Sequence, residues 1–474
     1  MTAVSIEIKE NIAWVTIHNP PVNATSLSVR SGLLDAVEKV QGCKLAVLKC
    51  EGRTFIAGGD MTTRFGLPEV NVGLIPGAGG TQRAPRLMGW DAAIKMACLG
   101  QIMSTEELLE MGAIDLITDD IEQAISDISY ERPVAVSQRT IENLSKQEWQ
   151  EHSEFIKKRA RGQNAPMHNL DALQWATEAY SIGQPKERAL HLELRQSDQS
   201  KALRHIFFAE RATSSPQKLK DITPQSIRHI AIVGGGLMGS GIAAACLSAG
   251  FQVSIIEQNN EAASAAQKTV EQILQGGFER GKISKAQLVE RKEAFSAHDN
   301  YDVAANADLA IEAVFEDLNA KRDVFAKLQG VMKEDALLAT NTSYLNPESI
   351  FAKIENKARC VGLHFFSPAH IMKLLEVVEL PTTSEETLAT AFMLAKKLKK
   401  MPVISGICDG FIGNRMLAAY RRAAEYLLAD GAYPHEIDAA MRDFGMAMGP
   451  FETQDLSGLQ IGYANRRRLD ATRN

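Results

Sequence analysis

His364 and Glu376 stand twelve residues apart, each inside a short apolar run, Gly362-Leu-His-Phe-Phe-Ser-Pro368 and Leu374-Leu-Glu-Val-Val378. Imidazole is the side chain whose ordinary titration falls near neutrality, and a carboxylate beside it orients the ring and stabilises the imidazolium that forms. Such a pair suits removal of a hydroxyl proton, for example while a secondary alcohol gives up a hydride. Spacing alone leaves a second reading open, since a lone His between apolar residues is also what a hydrogen-bonded core histidine looks like.

A second constellation lies further back. The run Ile230-Ala-Ile-Val233 passes directly into Gly234, Gly236 and Gly239, with Leu237 and Met238 between the last two. This GxGxxG spacing lets a backbone turn tightly and approach a pyrophosphate, whose charge meets the first amides of the following helix. Glu257 follows eighteen residues after Gly239, where the next strand should end. An acid there accepts hydrogen bonds from ribose hydroxyls and repels a 2′-phosphate, and no Arg occurs from Gln258 to Glu261. The expected cofactor is therefore NAD rather than NADP. A structural glycine turn with a solvated Glu257 is the weaker reading, because strand, turn, helix and acid coincide.

The elements that must hold these residues follow from periodicity. Strand candidates at Leu309–Val314, Leu337–Thr340, Cys360–Phe366 and Leu374–Val378 alternate with helical stretches after Ile230 and Gln252–Ile256, which predicts a doubly wound parallel sheet over 227–406. Glu261–Glu293 reads as a helical pair inserted between strands. Phe411–Ala429 is amphipathic and Pro434 opens another helix, so 407–474 is a small all-α module. Before the glycine turn, Ser5–His18 and Leu45–Cys50 alternate as strands, Asp91–Met111 is helical, and 131–226 is a polar helical connector with Gly183-Gln-Pro185 as punctuation. The fold class is thus α/β multidomain.

Composition limits what else the chain does. A net charge of -6 over 474 residues, without long like-charge blocks, gives no electrostatic reason to expect nucleic acid as a partner. Six scattered cysteines lack any CxxC pair or metal-ligand spacing, so they read as reduced thiols with no metal site. No apolar run approaches a membrane span, and the start lacks a signal-peptide pattern. These features suit the cytoplasm, or a peroxisome in a eukaryote, although Asp470–Asn474 is not an SKL-type address.

The set Asn341-Thr-Ser343, His364-Phe-Phe-Ser-Pro368, Glu376-Val-Val378 and Asp409-Gly-Phe-Ile-Gly-Asn414-Arg resembles the 3-hydroxyacyl-CoA dehydrogenase family from Ile230 to about Gly462. The resemblance implies His364 as general base, Glu376 as its partner, and Ser343 and Asn414 beside the thioester and 3-hydroxyl. It places Glu316 and Lys321, in Glu312-Ala-Val-Phe-Glu-Asp-Leu-Asn-Ala-Lys321, at the nicotinamide and ribose. By themselves Ser343, Asn414, Glu316 and Lys321 read as surface or capping residues. His370, six residues before Glu376, falls outside the matched motif and reads as a loop histidine.

Pro20-Pro-Val-Asn-Ala24, Arg53-Thr-Phe-Ile-Ala-Gly-Gly-Asp60 and Phe65-Gly-Leu-Pro-Glu69 through Arg83 resemble the crotonase, or enoyl-CoA hydratase/isomerase, family. Residues 1–130 are then a truncated crotonase-like module. The resemblance implies that Gly59 supplies one oxyanion amide and that Glu69 is the second of two acids. The other amide and acid belong to a Gly-rich helix start, and only Met61-Thr-Thr-Arg64 stands where that segment is expected. The module order resembles the bifunctional hydratase/dehydrogenase family of fatty acid β-oxidation, with the second C-terminal helical repeat missing. It implies NAD-dependent oxidation of an (S)-3-hydroxyacyl-CoA thioester to the 3-ketoacyl-CoA and a possible homo-oligomer. The alternatives are an acyl-CoA- and NAD-binding homologue without turnover, or enoyl-CoA isomerisation through Glu69.

Overall fold

A computed structural model describes residues 3–20, 23–52, 64–128 and 134–457, with 459, 463, 466, 467 and 470 beyond them. The oxyanion candidate Gly59, and the shortened segment beside it, lie outside the described residues. The chain divides into two compact units, 1–207 and 208–474. No helix among the described residues is long and apolar enough to cross a membrane.

The first unit opens with β1 (Val4–Lys9), β2 (Ile12–Ile17), α1 (Leu27–Lys39) and β3 (Leu45–Cys50). β1 and β2 form a hairpin whose turn residues Glu10 and Asn11 both take positive φ, the backbone of a tight two-residue turn. β3 pairs in parallel with β2, whose Ala13, Val15 and Ile17 are buried. A two-residue pair follows, β4 (Arg64–Phe65) with β5 (Met103–Ser104). The helices are α2 (Gly80–Leu99), α3 (Thr105–Glu110), α4 (Ile121–Asp127), α5 (Lys146–Ala160), α6 (Ala165–Gln174), α7 (Tyr180–Gln196) and α8 (Asp198–Ser214), the last of which continues past the unit boundary at residue 207.

Two expectations change here. The helix expected over Asp91–Met111 starts where expected, just after a kink at Gly89 whose φ 76 and ψ 176 are not helical, but it ends at Leu99, and a further helical segment from Gly80 precedes the kink, where glycines and Pro85 disguise a start held by a buried acid from a distant helix. The expected connector does not stand apart. Ile156 of α5 and Leu170 and Leu173 of α6 share one core with Trp90 and Ile94 of α2. Trp149 meets Trp90 edge to face, with ring centroids 5.0 Å apart. Gly183 and Pro185 lie inside α7 rather than breaking it. A Cβ at Gly183 would fall 2.2 Å from the Gln82 side chain and 2.7 Å from the Trp175 carbonyl, so glycine here allows helices to pack closely.

The second unit is built on an eight-stranded sheet: β6 (His229–Val233), β7 (Gln252–Ile256), β8 (Phe295–His298), β9 (Leu309–Glu312), β10 (Leu337–Thr340), β11 (Cys360–Phe365), β12 (Leu374–Val378) and β13 (Met401–Ser405). Its order is β13-β12-β11-β10-β9-β6-β7-β8, with β6 to β11 parallel and β12 antiparallel to β11. The helices are α9 (Leu237–Ser248), α10 (Asn260–Glu279), α11 (Lys285–Glu293), α12 (Leu318–Val331), α13 (Pro347–Ile350), α14 (Glu385–Lys397), α15 (Gly413–Ala429), α16 (Pro434–Phe444) and α17 (Pro450–Ser457). Both faces of the sheet are covered: Ile230 and Ile232 enter one core, Ala231 and Val233 the other. The chain leaves β6 toward β7 and β8 and returns to the opposite side of β6 as β9. The switch point between β6 and β9 opens the crevice where such sheets bind ligands.

At the end of β9, Glu312 is fully buried. It accepts from Lys321 Nζ at 2.7 Å and from Thr340 Oγ1 at 2.7 Å, and Lys321 is itself 1% exposed. Removing one partner of a buried pair leaves a charge in a medium that solvates it poorly. Glu312→Ala is therefore expected to lower the stability of the second unit by about 3–5 kcal/mol, read from urea unfolding; a loss under about 1 kcal/mol would contradict this account of the pair.

Candidate active site

The twelve-residue spacing of His364 and Glu376 becomes adjacency through strand pairing. β11 and β12 are antiparallel with His364 directly opposite Glu376, so both side chains leave the same face. His364 Nδ1 lies 2.6 Å from Glu376 Oε2, and the two residues are 3% and 0% exposed. The other carboxylate oxygen, Oε1, accepts from the amides of Ile412 at 2.9 Å and Gly413 at 2.7 Å, at the start of α15. A helix start offers unpaired amides and a partial positive charge, so it is a natural seat for a carboxylate. Phe366 and Phe411 wall the ring, with centroids 4.6 and 5.5 Å away.

The free face of the imidazole meets Ser343, whose Oγ is 3.3 Å from His364 Nε2. Ser343 sits in a turn after β10 that Glu316 holds. Glu316 Oε1 accepts from Thr342 Oγ1 at 2.5 Å and from the amides of Ser343 and Tyr344 at 2.8 Å each. Burial pushes the Glu316 carboxyl up, but Lys321 and these donors outweigh it and hold it below the usual carboxylate range. Lys321 Nζ lies 3.3 Å from Glu316 Oε2. Glu316 thus caps, as its residue type suggests, whereas Lys321 is buried and not a surface residue. Asn414 is half-buried in the first turn of α15, one residue beyond Gly413.

His370 does not join this group. Its Nδ1 is buried without a partner among the described residues, and burial, helped by Lys400, Arg280 and Lys282, pulls its titration down. Two contributors stand within the quoted motifs but were given no role there. Asn341 Oδ1 accepts from the Phe365 amide at 2.9 Å and ties the ends of β10 and β11 together. The Ile412 and Gly413 amides are invisible to any search for side-chain types; only their place before an amphipathic helix hints at them.

The glycine turn lies at the switch point. Gly234 has φ +98, and a Cβ there would fall 2.7 Å from the Ala313 carbonyl after β9. A Cβ at Gly239 would lie 1.8 Å from the Gly234 carbonyl, so only glycine lets α9 start so close to the turn. At Gly236 a Cβ would meet nothing within 4 Å, which leaves open space before the first amides of α9, those of Leu237 and Met238. Glu257 follows β7 directly and accepts from the Gly235 amide at 2.6 Å, so its carboxylate is drawn against the turn. These residues fit a dinucleotide: a pyrophosphate cradle, helix amides behind it, and an acid at the ribose distance in sequence. Among the described residues no cluster could hold a metal ion, and all six cysteines are free.

In the first unit, Glu69 lies on a short 3-10 turn, Pro68–Val72. Burial pushes its carboxyl above the usual range, and its Oε2 is buried without a partner among the described residues. Glu187 of α7 is the acid that caps α2, accepting from the amides of Gly79 at 2.5 Å and Thr81 at 2.8 Å and from Thr81 Oγ1 at 2.5 Å. More than a hundred residues separate these partners, so no local pattern announces them.

Segments of both units match known protein families. Residues 229–408 match the 3-hydroxyacyl-CoA dehydrogenase NAD-binding domain, 410–474 the 3-hydroxyacyl-CoA dehydrogenase C-terminal domain, and 61–169 the enoyl-CoA hydratase/isomerase family. The peroxisomal bifunctional enzyme of Danio rerio is 33% identical over 539 positions, covering 98% of this chain and 74% of its own. That alignment is longer than the chain, so the relative carries segments without a counterpart here. The glyoxysomal fatty acid beta-oxidation multifunctional protein of Brassica napus is 33% identical, covering 95% of this chain and 65% of its own. Among solved structures, (S)-3-hydroxybutyryl-CoA dehydrogenase of Ralstonia eutropha is similar with a TM-score of 0.49 and 31% identity, over 50% of this chain and 85% of that one. With an enoyl-CoA hydratase/isomerase module ahead of an NAD-binding dehydrogenase, the chain belongs to the enoyl-CoA hydratase/3-hydroxyacyl-CoA dehydrogenase multifunctional enzyme family.

Proposed function

We propose that the second unit oxidises the 3-hydroxyl of a (S)-3-hydroxyacyl-CoA to the 3-ketone, as a step of fatty acid β-oxidation, with His364 as the base. The observation that carries the reading is the line Ser343 Oγ, His364, Glu376, α15 amides, in which every polar atom of the base and its partner is engaged or aimed at the open side of Ser343. The substrate hydroxyl donates to His364 Nε2, where the proton arrives. Glu376 holds the ring through Nδ1 and offsets the positive charge that then develops, while the helix amides keep the carboxylate from turning away. Ser343 and Asn414 are the polar groups to position the 3-hydroxyl and thioester carbonyl. Bound at the glycine turn, NAD supplies the acceptor for the hydride that leaves C3.

Glu257 selects the dinucleotide in this reading, since a carboxylate pinned to the turn repels a 2′-phosphate. Glu316 and Lys321 serve the nicotinamide end of the crevice in this reading, which their mutual ion pair and the bond from Thr342 Oγ1 to Glu316, beside Ser343, support. The six free thiols suit a reducing compartment, and the curated relatives are named as peroxisomal or glyoxysomal enzymes.

Two outcomes follow. Mixing the protein, NAD and 3-hydroxybutyryl-CoA should raise NADH absorbance, and His364→Gln should lower kcat by roughly 10²–10⁴-fold while leaving NAD affinity intact. Undiminished turnover in that variant would remove His364 as the base. Glu257→Ala should narrow the preference for NAD over NADP by about tenfold or more, equivalent to about 1.4 kcal/mol, in kcat/KM; an unaltered ratio would contradict the role assigned to Glu257.

A further inference from the structure

Lys400 is a lysine that folding alone gives little reason to bury. It is 9% exposed, and the two partners of its Nζ are backbone carbonyls, Ala369 at 2.5 Å and Met372 at 2.6 Å, rather than a carboxylate. Long cations are seldom buried without an acid beside them, and burial pulls the titration of this one down. Its backbone is fixed on both sides. Lys399 before it takes φ +54, the left-handed cap that ends α14, and the Lys400 amide donates to the Ala395 carbonyl at 2.8 Å. Met401 after it opens β13 and donates its amide to the Lys373 carbonyl at 2.7 Å. The carbonyls of Ala369, Met372 and Lys373 all belong to the loop that joins β11 to β12, the strands of His364 and Glu376.

That loop passes from one side of the sheet to the other. Leu363 and Phe365 share a core with Ile242 of α9, so by strand alternation His364 leaves the opposite face. At the start of the loop, Phe366 lies against the His364 ring, with centroids 4.6 Å apart. Three residues on, Ala369 is buried and meets α9 itself: a Cβ at Gly241 would fall 3.2 Å from the Ala369 Cβ and 3.3 Å from its amide nitrogen. Gly241 lies about one helical turn beyond Leu237, whose amide is the first of α9 behind the glycine turn. Within the loop the Pro368 carbonyl accepts from the amides of Ile371 and Met372 at 2.9 and 3.0 Å, so 368–372 is a compact turn that Lys400 grips at Ala369 and at Met372.

We infer that Lys400 is a positioning residue of this site: by holding the 368–372 turn against α9, its ammonium sets how far the His364 imidazole stands from the dinucleotide seat. This rests on the dehydrogenase reading of the same site. The base, the carbon that gives up the hydride and the acceptor ring must meet at once, and a misplacement of about 1 Å costs roughly a hundredfold in rate. Strand pairing fixes His364 to Glu376, whereas α9 is a separate element that the turn touches at Gly241. Lys400 itself meets neither substrate nor cofactor in this account.

The test is single-turnover NADH formation from 3-hydroxybutyryl-CoA, expressed per folded site, with the sites counted by NADH titration. Lys400→Met keeps the length of the side chain and removes its donors, whereas Gly241→Ala keeps the ammonium and presses a methyl on Ala369. Lys400→Met should slow the step by about tenfold to a hundredfold while the affinities for NADH and butyryl-CoA stay within about threefold. Gly241→Ala should slow it in the same sense, and the double variant should fall short of the product of the two effects, because both move one turn. A lysine that only stabilises the fold would lower the count of sites and leave the rate per site unchanged. A rate per site within about twofold of the unaltered protein in Lys400→Met overturns the proposal, and the same result in Gly241→Ala does so should Lys400→Met not fold. No NADH from the unaltered protein sinks the dehydrogenase reading instead, and the positioning role with it. Amide exchange at Ile371 and Met372, expected to speed up in Lys400→Met, then still decides whether the lysine holds the turn.

Discussion

The second unit depends on a single carboxylate. Glu376 faces His364 with one oxygen and the first amides of α15 with the other, so the same side chain orients the imidazole and seats the helical module that follows the sheet. Both contacts are charge-assisted and buried, the setting in which such bonds are strong and in which leaving either side unpaired is costly. The imidazole and the architecture are coupled at this point: α15 cannot shift along its axis without pulling on the carboxylate that holds His364.

The coupling extends across the sheet edge. From Glu312 through Lys321 and Glu316 to the turn at Thr342 and Ser343, and from Ser343 to His364, polar groups follow one another along the ends of β9, β10 and β11. These are neighbouring parallel strands, so their carboxyl ends gather the residues at one edge. The glycine turn after β6 lies at the same edge beside β9. A substrate hydroxyl at His364 and a dinucleotide at the turn would therefore meet over the ends of these strands, which is what hydride transfer requires of a fold.

Much of this was legible in sequence because the relevant patterns are local. β6, the turn and α9 follow one another without a gap, Glu257 closes the next strand, and the twelve-residue interval between His364 and Glu376 is a cross-strand register once the two runs pair antiparallel. Partners distant in sequence were not legible. Glu187 caps α2 from α7, and without it the Gly-rich start of α2 reads as a loop. Lys321 reads as a surface lysine, since the two acids that make its burial tolerable converge only in the fold. β8 and β13 are the edge strands of the sheet and only partly buried, so they lack the continuous apolar run that marks β9 and β10, and the helical connector hid its membership in the α2 core behind a polar composition.

The central claim is that Glu376 joins His364, the proposed base, to the helix start. Amide hydrogen exchange at Ile412 and Gly413, measured beside turnover in the unaltered protein and in Glu376→Ala, tests it directly. Loss of charge-assisted bonds of about 1.5–3 kcal/mol should speed exchange at both amides by roughly 10–100-fold, together with a collapse of turnover. Unchanged protection at the two amides, or turnover that survives the substitution, would contradict the account.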